Sequence, residues 1–242
     1  MDFLDRLEHF ARTFWGRVII GVLAVGHENP DADALGAALG IALLVEARGG
    51  HAAVAVSDGA PDLYAFLPGV ANVRTDPEPD TAYDLVVLCD CGDLSRAGPI
   101  RERNAALFAA TPLLTIDHHA SNDGSGDLAW IDPGAAATCE MVALLAVRLG
   151  LPLTLGDGAL AAALTAGIVM DTATFAHPNA HGQPQPHTRS RHYRARSGDR
   201  RAPPACRRIA RVPDGPPRQA GRDLELTPRR GDAITACGRA GG

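Results

Sequence analysis

Val18-Ile19-Ile20-Gly21-Val22-Leu23-Ala24-Val25, followed by Gly26-His27-Glu28-Asn29-Pro30-Asp31-Ala32-Asp33-Ala34-Leu35-Gly36, decides how this chain is read. The first eight residues are almost wholly apolar, as expected of a strand covered on both faces of a parallel sheet. A histidine and two aspartates follow in the spacing His-x3-Asp-x-Asp. Residues 33–48 then run at helical spacing until Gly49-Gly50 ends them. Pro30 makes the intervening turn rigid and predicts an extended Asn29 before it. Asp31 and Asp33, two residues apart, then face a shared space ahead of the helix.

Outward from this unit, residues 3–15 place Phe3, Leu4, Leu7, Phe10, Ala11 and Phe14 at the spacing of an amphipathic helix. Short apolar runs at 52–56, 83–88 and 112–116 predict three further strands. A polar, helical stretch at 94–110 separates the last two. Ala-rich segments at 135–149 and 157–168 predict helices. This alternation defines an α/β domain over residues 1–178, with a mostly parallel sheet flanked by helices.

The composition changes sharply after His177-Pro178. Residues 1–178 carry 9 Arg against 23 acidic residues, a net of −14. Residues 179–242 carry 14 Arg against 5, a net of +9, and together these give the −5 of the whole. Aliphatic residues become rare there, and such a segment buries too little apolar surface to offset its ordering entropy. The expectation is a disordered tail rich in Arg, Pro and Gly. Two origins stay open. One is a basic nucleic-acid anchor, which lacks the aromatic interleaving that base stacking needs, Tyr193 being alone. The other is a reading-frame shift in a GC-rich gene, since codons for Arg, Pro, Ala and Gly begin with two G or C bases.

Other features bound the setting. Cys89, Cys91, Cys139, Cys206 and Cys237 are few, odd in number and without a CxxC pair, which fits reduced thiols in a cytoplasmic protein. The acidic start lacks the basic region of a signal peptide. The longest apolar runs, 18–25 and 159–170, fall short of the roughly 20 residues that cross a bilayer.

Four clusters carry the chemistry, and the reading sets each at or just past the carboxyl end of a strand, where open α/β sheets place ligands. They are His27 with Asp31 and Asp33; Asp90 in Cys89-Asp90-Cys91-Gly92-Asp93; Asp117-His118-His119-Ala120-Ser121-Asn122; and Asp171 in Gly167-Ile168-Val169-Met170-Asp171-Thr172. Singly, each has a plainer explanation. A lone aspartate is commonly a helix cap, and Asp33 is placed to cap its own helix. Cys89 and Cys91 read as core packing rather than zinc ligands. Four clusters of hard oxygen and imidazole donors together suit manganese or magnesium.

The long forms His27-Glu-Asn-Pro-Asp-Ala-Asp33 and Asp117-His-His-Ala-Ser-Asn122 resemble the DHH phosphoesterase superfamily, in particular its nano-RNase and 3′-phosphoadenosine 5′-phosphate phosphatase group. The resemblance covers roughly residues 1–178. It implies one divalent metal on His27, Asp31 and Asp90, and a second on Asp33, Asp90, His118 and Asp171, with Asp90 bridging. It also implies that His119 contacts the substrate phosphate and that Asp117 orients the histidines. The activity so implied is metal-dependent hydrolysis of short oligoribonucleotides, linear dinucleotides or 3′-phosphoadenosine 5′-phosphate, in a protein that can form a homodimer. An inorganic pyrophosphatase of the same superfamily and an inactive, truncated metal-binding fragment are the alternatives. Ala37 stands where the family commonly has serine. Relatives continue into a second, nucleotide-clamping domain that nothing in 179–242 resembles, so part of the sheet is expected to lie uncovered.

Overall fold

The computed structural model of the chain describes residues 21–176. The expectations for a helix at 3–15, the start of the first strand, the tail at 179–242, Cys206 and Cys237 lie outside the described residues.

Five strands form one sheet: β1 (Gly21–Val25), β2 (His51–Ala55), β3 (Leu85–Cys89), β4 (Leu113–Asp117) and β5 (Leu128–Ile131). Their order is β2-β1-β3-β4-β5 and every neighbouring pair is parallel. All residues of β1, β3 and β4 are buried, which accounts for their unbroken apolar runs. The sequence reading missed β5. Its four residues, Leu-Ala-Trp-Ile, are too few to show a period, and as an edge strand only its two middle residues are buried. Its place is fixed by pairing with β4 from Leu114–Leu128 to Asp117–Ile131.

Among the described residues, five α-helices flank the sheet: α1 (Ala32–Glu46), α2 (Pro99–Arg103), α3 (Ala105–Ala110), α4 (Thr138–Arg148) and α5 (Ala159–Asp171). α1 is apolar almost all round because it lies between the sheet on one side and α4 and α5 on the other. Its close approach to α5 depends on glycine. A Cβ at Gly36 would stand 2.5 Å from the carbonyl oxygen of Ala163, and one at Gly167 would collide with Cys139 Sγ and stand 2.7 Å from Asp33 Oδ1. The opposite face of the sheet is covered by a second cluster that includes Val86, Leu88, Ala97 and Ile100, with Leu107 and Phe108 packed against it.

Among the described residues both faces of β1, β3 and β4 are thus covered, whereas the edge strand β2 begins exposed at His51 and half-buried at Ala52. Exposed apolar side chains also line a groove of about 800 Å³ between α5 and the turn around residues 62–66, with Leu63 and Phe66 prominent. Cys89, Cys91 and Cys139 are buried free thiols, in keeping with the reduced reading. Among the described residues, no helix is long and apolar enough to cross a membrane.

Candidate metal centre

The strand order reverses between β1 and β3, since the chain leaves β1 toward β2 and returns to β3 on the other side. Ligands gather at such a switch point, beyond the carboxyl ends of the strands. Three of the four predicted clusters lie there, after β1, after β3 and at the end of β4. The fourth is a correction: Asp171 is the last residue of helix α5 and follows no strand. α5 carries it in from the layer packed over α1. A carboxylate at the negative end of a helix dipole adds to the local demand for a cation.

The loop after β1 differs from expectation in two respects. Asn29 has φ +50°, the left-handed region, and is not extended. Asparagine tolerates this conformation, and its N–H is held by Asp58 Oδ2 at 2.7 Å. The cap of α1 is Asp31, whose Oδ1 accepts from the N–H groups of Asp33 and Ala34 at 2.9 and 3.0 Å. Asp33 is freed to serve another helix. Its two oxygens accept from the N–H groups of Thr138 (2.7 Å) and Cys139 (2.8 Å). These open α4, whose own cap position is the side-chain-poor Ala137.

His27 Nδ1 lies 2.7 Å from the carbonyl oxygen of Glu28. A carbonyl only accepts, so Nδ1 carries the hydrogen and Nε2 is turned to Asp31 (3.8 Å) and Asp90 (3.6 Å). Asp90 is 1% exposed, sits at φ +58°, and accepts from Thr138 Oγ1 at 2.9 Å. His118 Nε2 faces Asp171 (2.9 Å), Asp90 (3.6 Å) and Asp33 (3.9 Å). Although it is buried, this nitrogen makes no properly angled hydrogen bond. His27, Asp31 and Asp90 thus bring three donor atoms within 4.8 Å of one another, and so do Asp33, His118 and Asp171. Asp90, His118 and His119 form a third such group.

Asp117 was expected to orient both histidines. Among the described residues, its side chain bonds one of them. Oδ1 accepts from the His119 backbone N–H (3.1 Å) and meets His119 Nδ1 (2.8 Å), while Oδ2 accepts from Asn122 Nδ2 at 2.6 Å. The imidazoles of His118 and His119 meet edge to face, with centroids 4.6 Å apart.

The electrostatics report the same crowding. Burial, then the charges of Asp90 and Asp171, push the Asp33 carboxyl up to about 7, partly offset by its bonds to Cys139. Burial works to lower His118, but Asp171, Asp90 and Asp33 together raise it to about 9. Bonds from Asp117 and Asp90 raise His119 to about 10, against a smaller effect of burial. At His27 burial again works to lower the imidazole, but Asp31 and the Glu28 carbonyl outweigh it and raise it. These shifts all run toward the protonated forms, which would remove one negative charge from the carboxylates and add positive charge on the imidazoles. Divalent cations supply positive charge more directly, and the orphaned Nε2 of His118 among three carboxylates fits one.

The sequence reading missed Thr138, which ties Asp33 to Asp90 through its N–H and hydroxyl. Its one local signal was a hydroxyl residue opening a helix within an alanine run. Asn122 was quoted within its motif without a role. In the structure it is buried and bridges Asp117 to the carbonyl of Cys91.

A parallel sheet with carboxylates and imidazoles gathered at its switch point defines an α/β domain with a candidate metal centre. Residues 21–168 match the DHH family, N-terminal domain, and the chain belongs to that family. It is 32% identical over 159 residues to the bifunctional oligoribonuclease and PAP phosphatase NrnA of Bacillus subtilis, spanning 63% of this chain and 46% of that protein. It is 30% identical over 169 residues to the cyclic-di-AMP phosphodiesterase PdeA of Listeria monocytogenes, spanning 64% of this chain and 25% of that one. The chain thus spans less than half the length of these relatives. An exopolyphosphatase-related protein from Bacteroides fragilis shares the fold, with a TM-score of 0.62 at 23% identity over 73% of this chain and 52% of that one.

Proposed function

We propose that this protein is a two-metal phosphohydrolase of short oligoribonucleotides, linear dinucleotides or 3′-phosphoadenosine 5′-phosphate. One observation carries the reading: the buried His118 Nε2, without a hydrogen bond, lies among the carboxylates of Asp33, Asp90 and Asp171. His27, Asp31 and Asp90 would hold one divalent ion, and Asp33, Asp90, His118 and Asp171 the other, with manganese suited to the mixed imidazole and carboxylate set. When bound, such a pair activates water and stabilises charge on the phosphate under attack.

The protein's own residues do the rest. The Glu28 carbonyl fixes the His27 ring so that Nε2 presents its lone pair. Thr138 holds Asp90, and the N-terminus of α4 holds Asp33. His119, half-exposed and anchored through Nδ1 on Asp117, keeps Nε2 to donate to a phosphate oxygen. In this reading, residues 1–178 form the hydrolytic domain.

The test is turnover by the whole chain with added manganese, on a dinucleotide, an adenosine 3′,5′-bisphosphate, a cyclic dinucleotide and pyrophosphate. Manganese-dependent cleavage of the first two is expected to predominate. Cleavage of pyrophosphate alone would replace this reading with the pyrophosphatase. Preference for the cyclic dinucleotide would align the chain with the phosphodiesterase relatives. Bound metal without hydrolysis of any of them would leave a metal-binding fragment.

A further inference from the structure

Arg96 stands beside the candidate metal centre, yet none of the roles above uses it. The short segment that carries it is fixed from three directions. Its carbonyl accepts from the Glu28 N–H at 2.7 Å, which joins it to the loop carrying His27 and Asp31. Asp93 caps the turn at Leu94–Ala97 by accepting from the Ser95 N–H at 2.7 Å. Ser57 Oγ donates to the Ala97 carbonyl at 2.7 Å and accepts from the Ile100 N–H at 3.0 Å.

The guanidinium feels the charge of the exposed Asp93 but makes no ion pair with it. Among the described residues, no carboxylate oxygen lies within 4.0 Å of it; the nearby Asp93 is turned to Ser95. Its one close polar neighbour is His27 Nδ1, 3.4 Å from Nη2. That contact is no hydrogen bond, because Nδ1 must already donate its hydrogen to Glu28. Nη1 and Cδ lie close to Gly92, which also borders Ser121. An arginine held in place, half-buried and with no carboxylate paired to it among the described residues, in a region otherwise crowded with acid groups, is built to receive an anion.

The position of Arg96 selects the anion. The His27 ring stands between the guanidinium and the Asp31–Asp90 cluster, so Arg96 reaches beyond the group held at that cluster. We infer that Arg96 anchors a second phosphate of the substrate, one removed from the phosphate being cleaved, and so sets a preference for nucleotides with a terminal phosphate. This inference rests on the proposed phosphohydrolase reading. A planar, two-donor fork suits a phosphate monoester, and no other cationic side chain of the described residues touches His27.

The test measures equilibrium binding by the whole chain with manganese, using a dinucleotide with a cleavage-resistant phosphorothioate linkage, with and without a 5′-phosphate. The wild-type chain is expected to bind the 5′-phosphorylated ligand about ten- to hundredfold more tightly. Arg96→Gln should abolish that difference and leave the unphosphorylated ligand and the metal content unchanged, and Arg96→Lys should restore part of it. A wild-type chain that binds both ligands equally, or neither, overturns the inference. So does an undiminished preference in Arg96→Gln, or equal loss of both ligands. Turnover of the ordinary dinucleotide is measured in parallel. Selective binding without turnover would sink the hydrolase reading and leave the role of Arg96 standing.

Discussion

The backbone N–H of Thr138 donates to Asp33 Oδ2 at 2.7 Å, so a carboxylate at the start of α1 caps α4 from 105 residues away. The same threonine donates its hydroxyl to Asp90 at 2.9 Å. One residue therefore fixes two of the carboxylates assigned to the metals. Thr138→Val keeps the shape and the backbone bond but removes the hydroxyl. It should cost about 1–3 kcal/mol in stability and weaken manganese binding about 10- to 100-fold, with Thr138→Ser recovering most of both. Thermal unfolding and metal titration check this, and unchanged manganese affinity would refute the positioning role.

Asp90 belongs to both proposed ligand sets. Asp90→Asn is the informative change, because asparagine tolerates the φ of +58° whereas alanine adds about 1–2 kcal/mol of strain. The variant should lose both manganese ions, and Asp171→Asn one of them. Metal counting after gel filtration decides, and two ions retained by Asp90→Asn would exclude bridging.

His119 is assigned to the substrate. It is anchored on Asp117 and is the more exposed histidine of the pair, with side-chain exposure of 39% against 14% for His118. His119→Ala should keep both metals while turnover falls about 100- to 1000-fold. Since His119 also lies near Asp90 and His118, loss of an ion in this variant would reassign it as a ligand.

Gly167 joins helix packing to the site, because a methyl group there meets Cys139 Sγ and Asp33 Oδ1. Gly167→Ala should destabilise the domain by about 1–3 kcal/mol and weaken manganese binding. Cys139→Ala, which removes the sulfur, should relieve part of the stability loss in the double variant. A double-mutant cycle by denaturant unfolding measures this, and strict additivity would show that the two side chains do not meet.

Metal should stabilise the fold as a whole, since ions that bind only the folded state shift its equilibrium. At a manganese concentration 100 times the dissociation constant, the gain is about 2.7 kcal/mol. A chelator should reverse the rise in melting temperature, and no rise at all would count against a formed site.

The sequence by itself determined the α/β class, the parallel strands β1 to β4 and the families of donors. These depend on local patterns: apolar runs flanked by turns, and short motifs at strand ends. It did not yield β5, whose four residues carry no period and whose position is set by pairing with β4. Nor did it reveal that Asp171 ends a helix, because α5 extends past residue 168 into the motif itself. The tertiary structure alone decided which carboxylate caps which helix, since Asp31 and Asp33 are equally good caps on paper. Asp33 is claimed by α4 because Gly36 and Gly167 let α1, α4 and α5 close to contact. The same long-range packing placed Thr138 against Asp90 and set Arg96 beside His27. Such relations between residues distant in the chain arise from packing, and no local sequence pattern records them.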